Sequence, residues 1–596
     1  MFLRCKTRHK DGKSHRYWSV VESRRVRGGR IIQRHVLYLG EINDGQEAAW
    51  RRSIAVFVDG AAEPRQMALF PEGRALPVAD SEVVQIRLGA LSLRRPRQWG
   101  GCWLSGALWD QLQLDGFWSA RLKPSRKGTR WLNVLKTLVF YRLLDPGSEW
   151  RLHRQWFEAS AMADVLGEDV GLVQIDKLYR CLDKLLAHKQ DFFSFLKGRW
   201  QSLFGVGFDV LLYDLTSTYF EIDPPAEGKR RFGYSRDKRP DCVQVVIALI
   251  VTPEGLPLAY EVMPGNTADN TTLADFLARI EVQYGKANRT WVMDRGIPTE
   301  DVLAEMRQSN PPVHYLVGTP KGRLSRLETA LLDKPWHDAR PGVQVKLLAQ
   351  DGEIYIFAES RDRVAKERAM RRRRLQKLWR RLGALRQQKL SRDQLLLKLG
   401  AAKKEAGHVY ALVDIRLPGN DAPLSPVTFG YTLHKDKLRA TRRREGRYLL
   451  RTNLSDADPA QLWRYYIQLT EIEQAFKELK SDLAIRPIYH QLDHRIEAHI
   501  FVAFVAYCLF VTLKQRLRPL APGLTPRAVL EKLCAMQMVD VHLPTTDGRH
   551  LILPRYTQPD RDQLLLLQRL KLTLPPQPPP RITTTAENPN LPAAAL

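Results

Sequence analysis

The sequence predicts an α/β protein whose core is a mixed sheet with flanking helices, preceded by a β-rich region and a helical domain. Short apolar runs alternate with helical patterns from Phe208 to Val317, a texture typical of a sheet buried on both faces. Leucines at helical spacing dominate residues 104–200. A basic stretch followed by strand-like runs separates this core from two later helices, so a β-rich insertion domain is predicted to interrupt the core.

The N-terminal region is predicted to contain a β-hairpin. Two β-rich runs, Tyr17–Val26 and Ile31–Leu39, flank the pair Gly28-Gly29. Five arginines crowd its tip: Arg24, Arg25, Arg27, Arg30 and Arg34. A basic ribbon can enter a DNA groove or bind phosphates, and a solvated hairpin face is the alternative. We assign residues 1–75 to this region, 76–103 with their prolines to a linker, and 104–200 to a helical domain that is a second candidate for DNA binding.

The first part of the core, residues 201–335, is predicted to place two aspartates at strand ends. The run Asp209–Asp214 and the run Arg289–Asp294 are apolar strands that each end in a carboxylate. The other predicted elements are a hairpin of Val243–Val251 and Leu258–Met263, helices Thr271–Tyr284 and Glu300–Arg307, and a strand His314–Val317.

The insertion domain, residues 336–458, carries a strong positive charge. Residues 361–404 hold 17 basic and 3 acidic side chains, which is half of the net charge of +28 that 93 Lys+Arg and 65 Asp+Glu give the chain. This excess favours a polyanionic partner, and nucleic acid is the leading candidate. The basic helix can lie along DNA or present a solvated face. The predicted strands after it are Val409–Leu417, Val427–Leu433 and Tyr448–Thr452.

The second part of the core, residues 459–535, opens with a helix predicted over Trp463–Leu483. At 100° per residue, Tyr466, Glu473 and Lys480 fall on one polar line. A second stripe is apolar: Leu469, Ile472, Phe476, Leu479 and Leu483. Glu471 and Glu478 are expected to point elsewhere.

A buried helix is predicted over His499–Leu517. Its uncharged apolar run, Ile500–Leu513, is 14 residues long, which is too short to span a bilayer, so no membrane span is expected. Residues 536–596 form a C-terminal segment whose Pro-rich tail is predicted to be disordered.

Asp214, Asp294 and Glu473 are the candidate metal ligands. Ligands of α/β sheets bind at the carboxyl ends of strands, and a later helix can supply a third carboxylate. Three converging carboxylates suit one or two Mg²⁺ ions, because hard cations take oxygen ligands and offset like charges. Two ions about 3.5 to 4 Å apart can support in-line phosphoryl displacement. Each aspartate alone is more typical of a turn or a helix cap, so the prediction depends on the conjunction.

The motifs resemble those of the DDE transposases of bacterial insertion sequences, in the subgroup with a Tyr-Arg-Glu-Lys signature. They are Y-D-L-T-S-T from Tyr213, M-D-R-G from Met293, and Y-x6-E-x6-K from Tyr466, with F-G-Y-S-R-D-K-R-P-D from Phe232 and Y-L-V-G-T-P from Tyr315 also similar. The resemblance implies a ribonuclease H-like, integrase-like core interrupted before the Glu helix. It also implies that Asp214, Asp294 and Glu473 bind Mg²⁺, for which Mn²⁺ can substitute. One position departs from the signature, since Leu469 stands where it has Arg.

Candidate DNA contacts surround these carboxylates. Lys480 can bind a phosphate and Tyr466 a phosphate or a base, with ordinary helix surface as the alternative. Arg295, beside Asp294, can neutralise a phosphate or form a structural salt bridge. A basic loop between the first strand and the hairpin can bind the DNA backbone or be solvated; its members are Lys229, Arg230, Arg231, Arg236, Lys238 and Arg239.

These observations predict a transposase that performs metal-dependent strand cleavage at element ends and strand transfer into target DNA. Its expected partners are double-stranded DNA at both element ends and target, and a second copy in a homodimer. The alternatives are a stand-alone Mg²⁺-dependent nuclease with the same core and an inactive or domesticated DNA-binding protein. Six widely separated cysteines and an N-terminus without an apolar segment favour a cytoplasmic, nucleoid-associated protein.

Overall fold

The structure is a computed structural model that describes residues 2–583 except 11–12, 27–29, 41–84, 222–223, 226, 238, 269–288, 295–296, 320–326, 328–329, 331–333, 389, 420–424, 426, 455–457, 487 and 522. The predicted helix Thr271–Tyr284, the turn residues Gly28 and Gly29, and the candidate contacts Lys238 and Arg295 lie outside the described residues.

The described part of the chain forms strands that we number in chain order. They are β1 Phe2–Lys10, β2 Lys13–Arg25, β3 Ile31–Gly40, β4 Ser92–Gln98, β5 Val210–Phe220, β6 Val243–Val251, β7 Pro257–Pro264, β8 Thr290–Met293, β9 His314–Gly318, β10 His337–Arg340, β11 Val343–Gln350, β12 Glu353–Ser360, β13 Val413–Arg416, β14 Gly430–Leu433, β15 Arg447–Thr452, β16 Gln537–Pro544, β17 His550–Tyr556 and β18 Arg581–Thr583.

The described α-helices are α1 Gly100–Gln111, α2 Leu114–Trp118, α3 Trp131–Leu144, α4 Glu149–Arg151, α5 Phe157–Ala159, α6 Met162–Leu166, α7 Ile175–Leu185, α8 Lys189–Phe204, α9 Glu300–Gln308, α10 Arg361–Arg386, α11 Arg392–Ala406, α12 Lys435–Arg444, α13 Pro459–Ile467, α14 Leu469–Lys477, α15 Asp493–Leu520, α16 Pro526–Cys534 and α17 Arg561–Arg569. Single π-helical turns cover Leu152–Trp156 and Glu478–Asp482. Short 3₁₀ turns cover Leu88–Ala90, Leu186–His188 and Gly407–Leu412.

A large mixed sheet forms the centre of the molecule. Its strand order is β10-β11-β12-β15-β9-β8-β5-β6-β7. Strands β5, β8 and β9 run parallel to one another, and the remaining neighbours pair antiparallel. Every residue of β6 is buried, because the apolar run Val243–Val251 lies inside the sheet with both faces covered.

The predicted insertion domain is therefore only partly a separate unit. Strands β10, β11, β12 and β15 extend the central sheet, since β15 pairs with β9. What stands apart is the pair of helices α10 and α11 with the small β13–β14 hairpin, which share their own apolar cluster. Local patterns identify strands, but they do not show which sheet a strand joins, because that depends on long-range pairing.

Helix α15 lies at the centre of the protein and packs against α3 and α7 of the helical domain. The buried helix predicted at His499–Leu517 is confirmed inside it. By length and composition it is the one helix of the described residues that could cross a membrane, and 94% of its most apolar window is buried within the protein. The helical domain and the sheet consequently share one hydrophobic core.

Two segments, residues 76–103 and the C-terminal tail, differ from their predictions. Residues 76–103 include β4, which pairs with β16, and the start of α1, so the described part of this segment is a structural strand rather than a linker. The Pro-rich stretch leads into β18, which pairs with β17, so the described tail is ordered up to Thr583. The prolines in both segments favoured irregular structure, but each segment forms a strand that pairs with another strand, β4 with β16 and β18 with β17. Residues 584–596 lie outside the described residues.

The N-terminal hairpin is confirmed by the antiparallel pairing of β2 with β3, and β1 adds a third strand. Arg34 does not project from the tip. Its guanidinium forms ion pairs with Glu22 and with Glu158 of the helical domain. It therefore helps to hold the N-terminal sheet on the helical domain.

Candidate active site

Asp214 and Asp294 lie side by side on two interior strands of the central sheet, where β8 ends. Strands β5 and β8 are parallel neighbours, and their register pairs Tyr213 with Met293. The next residue on each strand is therefore the aspartate. Asp214 is half-buried and Asp294 is exposed. The two strands are parallel neighbours and Asp294 follows the end of β8, as predicted. The prediction that Asp214 ends its strand is wrong, because β5 continues to Phe220.

Glu473 reaches the same region from α14. The helix predicted as one piece is divided into α13, α14 and the π-turn, with a break at Gln468. The apolar stripe is buried as predicted, including Leu469, Ile472 and Phe476, while Glu473 is exposed. Helix α14 packs on β5 and β6, which directs its polar side toward Asp214.

The three carboxylates act on one another electrostatically. The pKa of Asp214 is raised to about 7, chiefly by burial and to a smaller extent by the negative charges of Asp294 and Glu473. Two contacts oppose this shift: the Leu215 backbone N–H, which donates to Asp214 Oδ1 at 2.8 Å, and the positive charge of Arg236. Like charges gathered at a half-buried position are the arrangement that a divalent cation stabilises.

The other two glutamates of this segment are occupied elsewhere. Glu471 pairs with Lys514 at 3.4 Å and with Arg518 at 2.8 Å. Glu478 is buried and pairs with Lys514 at 3.3 Å. These ion pairs join α14 and the following π-turn to α15. Glu473, by contrast, is among the charges that raise the pKa of Asp214.

Lys480 is half-buried and its ammonium donates to Asp237 Oδ1 at 3.1 Å. Burial lowers the pKa of Lys480, and Asp237 partly restores it. Arg486 binds the second oxygen of Asp237 at 2.6 Å. Asp237 and Arg486 were not predicted as residues of the site. A single acidic residue within a basic loop resembles a solvated residue in sequence, and nothing local marks Arg486 as its partner. The two residues connect the loop to the end of the Glu helix.

The basic loop is mostly held in place by internal bonds. Arg230 is buried and its guanidinium donates to the Gln491 carbonyl at 2.6 Å, so it cannot contact DNA in this structure. Lys229 pairs with Glu497 and donates to the Val262 carbonyl at 2.9 Å. Sequence alone could not show this, because the acidic and carbonyl partners lie more than 30 residues away.

Arg231, Arg236 and Arg239, the other loop cations that the structure describes, are half-buried. Arg239 pairs with Asp241 at 2.9 Å and with Glu221 at 2.7 Å. Arg231 donates to the Pro225 carbonyl at 3.4 Å. Arg236 lies close enough to Asp214 for its positive charge to lower the pKa of that carboxyl.

Tyr466 belongs to an aromatic group beside the carboxylates. Its ring lies 6.0 Å from that of Tyr448 and 6.1 Å from that of Trp463. The Arg363 guanidinium lies 4.4 Å from the Tyr448 ring centre, and the charge of Glu473 raises the pKa of Tyr448 after the larger effect of burial. The first turn of the basic helix α10 therefore approaches the site.

A second cluster of ionisable groups is buried nearby. Glu149 Oε1 lies 3.2 Å from both His490 Nε2 and His499 Nδ1, and Arg142 Nη2 lies 3.5 Å from His499 Nδ1. Arg142 also donates to the Ala484 carbonyl at 2.9 Å. His494, on the first turn of α15, lies outside this cluster and faces Asp183 at 3.2 Å. The cluster joins α3 and α4 of the helical domain to the chain just after the Glu helix.

A match to a protein-family model shows which family the chain belongs to. The transposase DDE domain matches residues 209–509, which is half of the chain, so the chain belongs to the family of DDE transposases. It is a DNA transposase, an enzyme that cleaves and joins DNA, and it depends on a divalent metal ion, generally Mg²⁺. The matched range contains Asp214, Asp294 and Glu473. The family favours neither the stand-alone nuclease nor the inactive DNA-binding alternative.

A second family model, the N-terminal domain of IS1634 family transposases, matches residues 3–56. It supports the assignment to an insertion sequence. Among solved structures, the chain is similar to the cryo-EM structure of a piggyBac transposase synaptic complex with hairpin DNA, at 8% identity and a TM-score of 0.33, over 74% of this chain and 82% of that one. A similarity at this TM-score is too low to support an inference. No curated protein sequence matches the chain.

Proposed function

We propose that Asp214, Asp294 and Glu473 together hold two Mg²⁺ ions, which Mn²⁺ can replace. The observation that carries the proposal is the parallel register of β5 and β8, which brings Asp214 and Asp294 together, with Glu473 of α14 near enough for its charge to raise the pKa of Asp214. Oxygen donors of this kind fit Mg²⁺. Bound by these carboxylates, the ions would activate the attacking oxygen and stabilise the leaving oxygen of a phosphodiester.

We also propose that β5 to β9 form a ribonuclease H-like core. Strands β5, β6 and β7 are an antiparallel meander, and β8 and β9 add parallel strands on the other side of β5. This order places Asp214 on the central strand. The structure shows a mixed α/β sheet, and its strand order supports the proposal of a ribonuclease H-like core.

The neighbouring side chains serve the chemistry by position and charge. The Leu215 N–H orients Asp214 by donating to Oδ1. Arg236 and Lys480 supply positive charge on the loop side, where a phosphate between them would be attracted. Tyr466 borders the other side. Water attacks the phosphodiester at an element end, which leaves a 3′-hydroxyl and a 5′-phosphate. That hydroxyl then attacks a phosphodiester of target DNA at the same site, so that the element end is joined to the target 5′ end and the target 3′-hydroxyl is released.

We further propose that a homodimer brings the two element ends together. Each strand transfer joins one end, so paired ends require paired sites. The net charge of +28 supplies the attraction for several DNA segments at once.

The test is excision and strand transfer by the purified full-length protein on its own element DNA in Mg²⁺. Wild type is compared with Asp294→Asn, which preserves the size of the side chain. We expect joined products from wild type alone, with equal and salt-sensitive DNA binding by both proteins. Products from Asp294→Asn at the wild-type rate would refute the assignment of this residue.

A further inference from the structure

Two aromatic side chains project from the loop between β5 and β6. Tyr234 is 83% exposed and Phe232 is 51% exposed. Single exposed aromatic residues are common and need no explanation. Here two occur one residue apart, and within the described part of the chain neither ring stacks on another aromatic ring. Their exposure therefore needs a cause.

The exposure does not result from a loose loop. The backbone of Gly233 packs so closely that an added Cβ would lie 2.0 Å from the Gly265 carbonyl oxygen. Gln244 is buried, and its amide donates to the carbonyls of Tyr234 at 3.0 Å and of Gly265 at 2.9 Å. Arg231 and Gln244 exchange backbone hydrogen bonds of 3.1 and 2.9 Å. The loop is thus fixed by backbone and side-chain hydrogen bonds to Gln244, and the side chains on either side of Gly233 face solvent.

The same loop lies against the carboxylate site. Two residues beyond Tyr234, the Arg236 backbone N–H donates to Ser217 Oγ at 3.4 Å, on the strand that carries Asp214. Asp237 then binds Lys480 at the end of the Glu helix. The two exposed rings therefore belong to a loop that borders the site and also carries Arg236. Exposed aromatic rings in a basic loop match a partner that has both planar bases and phosphates.

We propose that Phe232 and Tyr234 form a stacking platform for unpaired nucleobases of the DNA strand next to the phosphodiester that is cut. The proposal rests on the proposed function, because it assumes that Asp214, Asp294 and Glu473 perform the cutting. Stacking on an aromatic ring tolerates any base, and its loss weakens binding by roughly 5- to 150-fold per base. The platform holds a strand that has left the duplex so that its backbone crosses the carboxylates.

The test uses the full-length protein and a duplex that contains an element end with its flanking DNA. Abasic sites are placed one at a time within three nucleotides of the cut. Tyr234→Ala is expected to weaken binding of the intact duplex about tenfold or more, whereas Tyr234→Phe, which keeps the ring, stays within about twofold. At one position the abasic site weakens binding by wild type and leaves binding by Tyr234→Ala unchanged, because the ring and the base act on each other. Phe232→Ala and Phe232→Leu are compared in the same way.

Two results would overturn the proposal. One is full additivity of the abasic site and Tyr234→Ala at every position. The other is normal DNA binding by Tyr234→Ala together with lost dimerisation in sedimentation, which would give the rings to a second copy of the chain. Equal melting temperatures of the variants establish that folding is unaffected. Cleavage by wild type and its loss in Asp294→Asn test the proposed function separately, so the two hypotheses fail in different ways.

Discussion

Two clusters of ionisable side chains flank the segment from α14 to α15, and they differ in charge balance. Asp214, Asp294 and Glu473 are all acidic, and the last two are exposed. The Glu149 cluster consists of one acid, the buried Arg142 and the imidazoles His490 and His499, all at most 7% exposed. The first cluster gathers charge of one sign at the surface, and the second balances its charge inside the protein.

This difference in charge balance indicates that the acidic cluster is a site for a ligand, whereas the Glu149 cluster holds two parts of the protein together. A buried charge pair is satisfied by its own partners, and removing one partner is costly. Neighbouring carboxylates repel each other, and that repulsion is relieved when a cation binds or when one carboxyl keeps its proton. The pKa of Asp214, raised to about 7, and that of Glu149, lowered well below its usual value, express the same contrast.

The largest expected effect comes from removing one charge of the acidic cluster. Glu473→Gln should reduce strand cleavage by at least about 10³-fold, because a lost ligand forfeits several kcal/mol of transition-state stabilisation. Single-turnover cleavage in Mg²⁺ measures it. Glu471→Gln on the same helix is the matched control and should keep nearly full activity. Equal losses in the two variants would contradict the distinction between them.

The buried cluster should instead govern stability. Glu149→Gln leaves Arg142 without its acid, and we expect a loss of about 3–5 kcal/mol in the free energy of unfolding. Thermal denaturation should show a melting temperature lower by several degrees. Cleavage measured well below that temperature should remain within about threefold of wild type per folded molecule. An unchanged melting temperature would show that the cluster is not a structural connection.

The pH dependence of stability offers a sharper comparison. Burial and Arg142 lower the pKa of His499 to about 4, so between pH 6.5 and 4 the folded protein binds fewer protons than the unfolded chain. Stability should therefore fall by about 2–3 kcal/mol on acidification through this window. His499→Gln, which keeps a donor for the Ile485 carbonyl, should reduce that slope. An identical slope in the variant would refute the lowered pKa.

Asp214 should act in the opposite direction over nearly the same window. Its pKa is raised from 3.8 to about 7, so the folded protein keeps a proton that the unfolded chain loses. The contribution of Asp214 is fully present below pH 3.8 and is lost as pH rises through about 7. In EDTA, Asp214→Asn should become more stable than wild type above pH 7, by roughly 1–2 kcal/mol because the residue is only half-buried. A gap between the two proteins that is constant with pH would contradict this origin.

Much of the site could be predicted because its signals are local. An apolar run that ends in Asp214 or Asp294 identifies a strand, and for Asp294 also its end, whereas β5 continues past Asp214 to Phe220. The apolar stripe of α14 distinguishes Glu473 from Glu471 and Glu478 by angle alone, and the structure shows the latter two paired with Lys514. The deviation Leu469 is explained by the same stripe, since it is buried.

The accessibility of the basic loop could not be predicted. Arg230 and Lys229 resemble DNA contacts by composition, yet Gln491 and Glu497 engage them. Asp237 looks like an isolated acid in sequence and proves to bind Lys480 and Arg486. These pairings join residues more than 200 positions apart, and no local periodicity encodes them.

By itself, the sequence determined the N-terminal hairpin, the strands β5 to β9, the three acidic positions and the concentration of positive charge, because each depends on residue type and short-range spacing. Tertiary structure alone decided that β10, β11, β12 and β15 join the central sheet, that β4 and β18 are strands of a terminal sheet, and that Phe232 and Tyr234 face solvent. Strand partners, ion pairs and exposure arise when distant segments pack together, and that packing is a property of the whole chain rather than of any stretch of it.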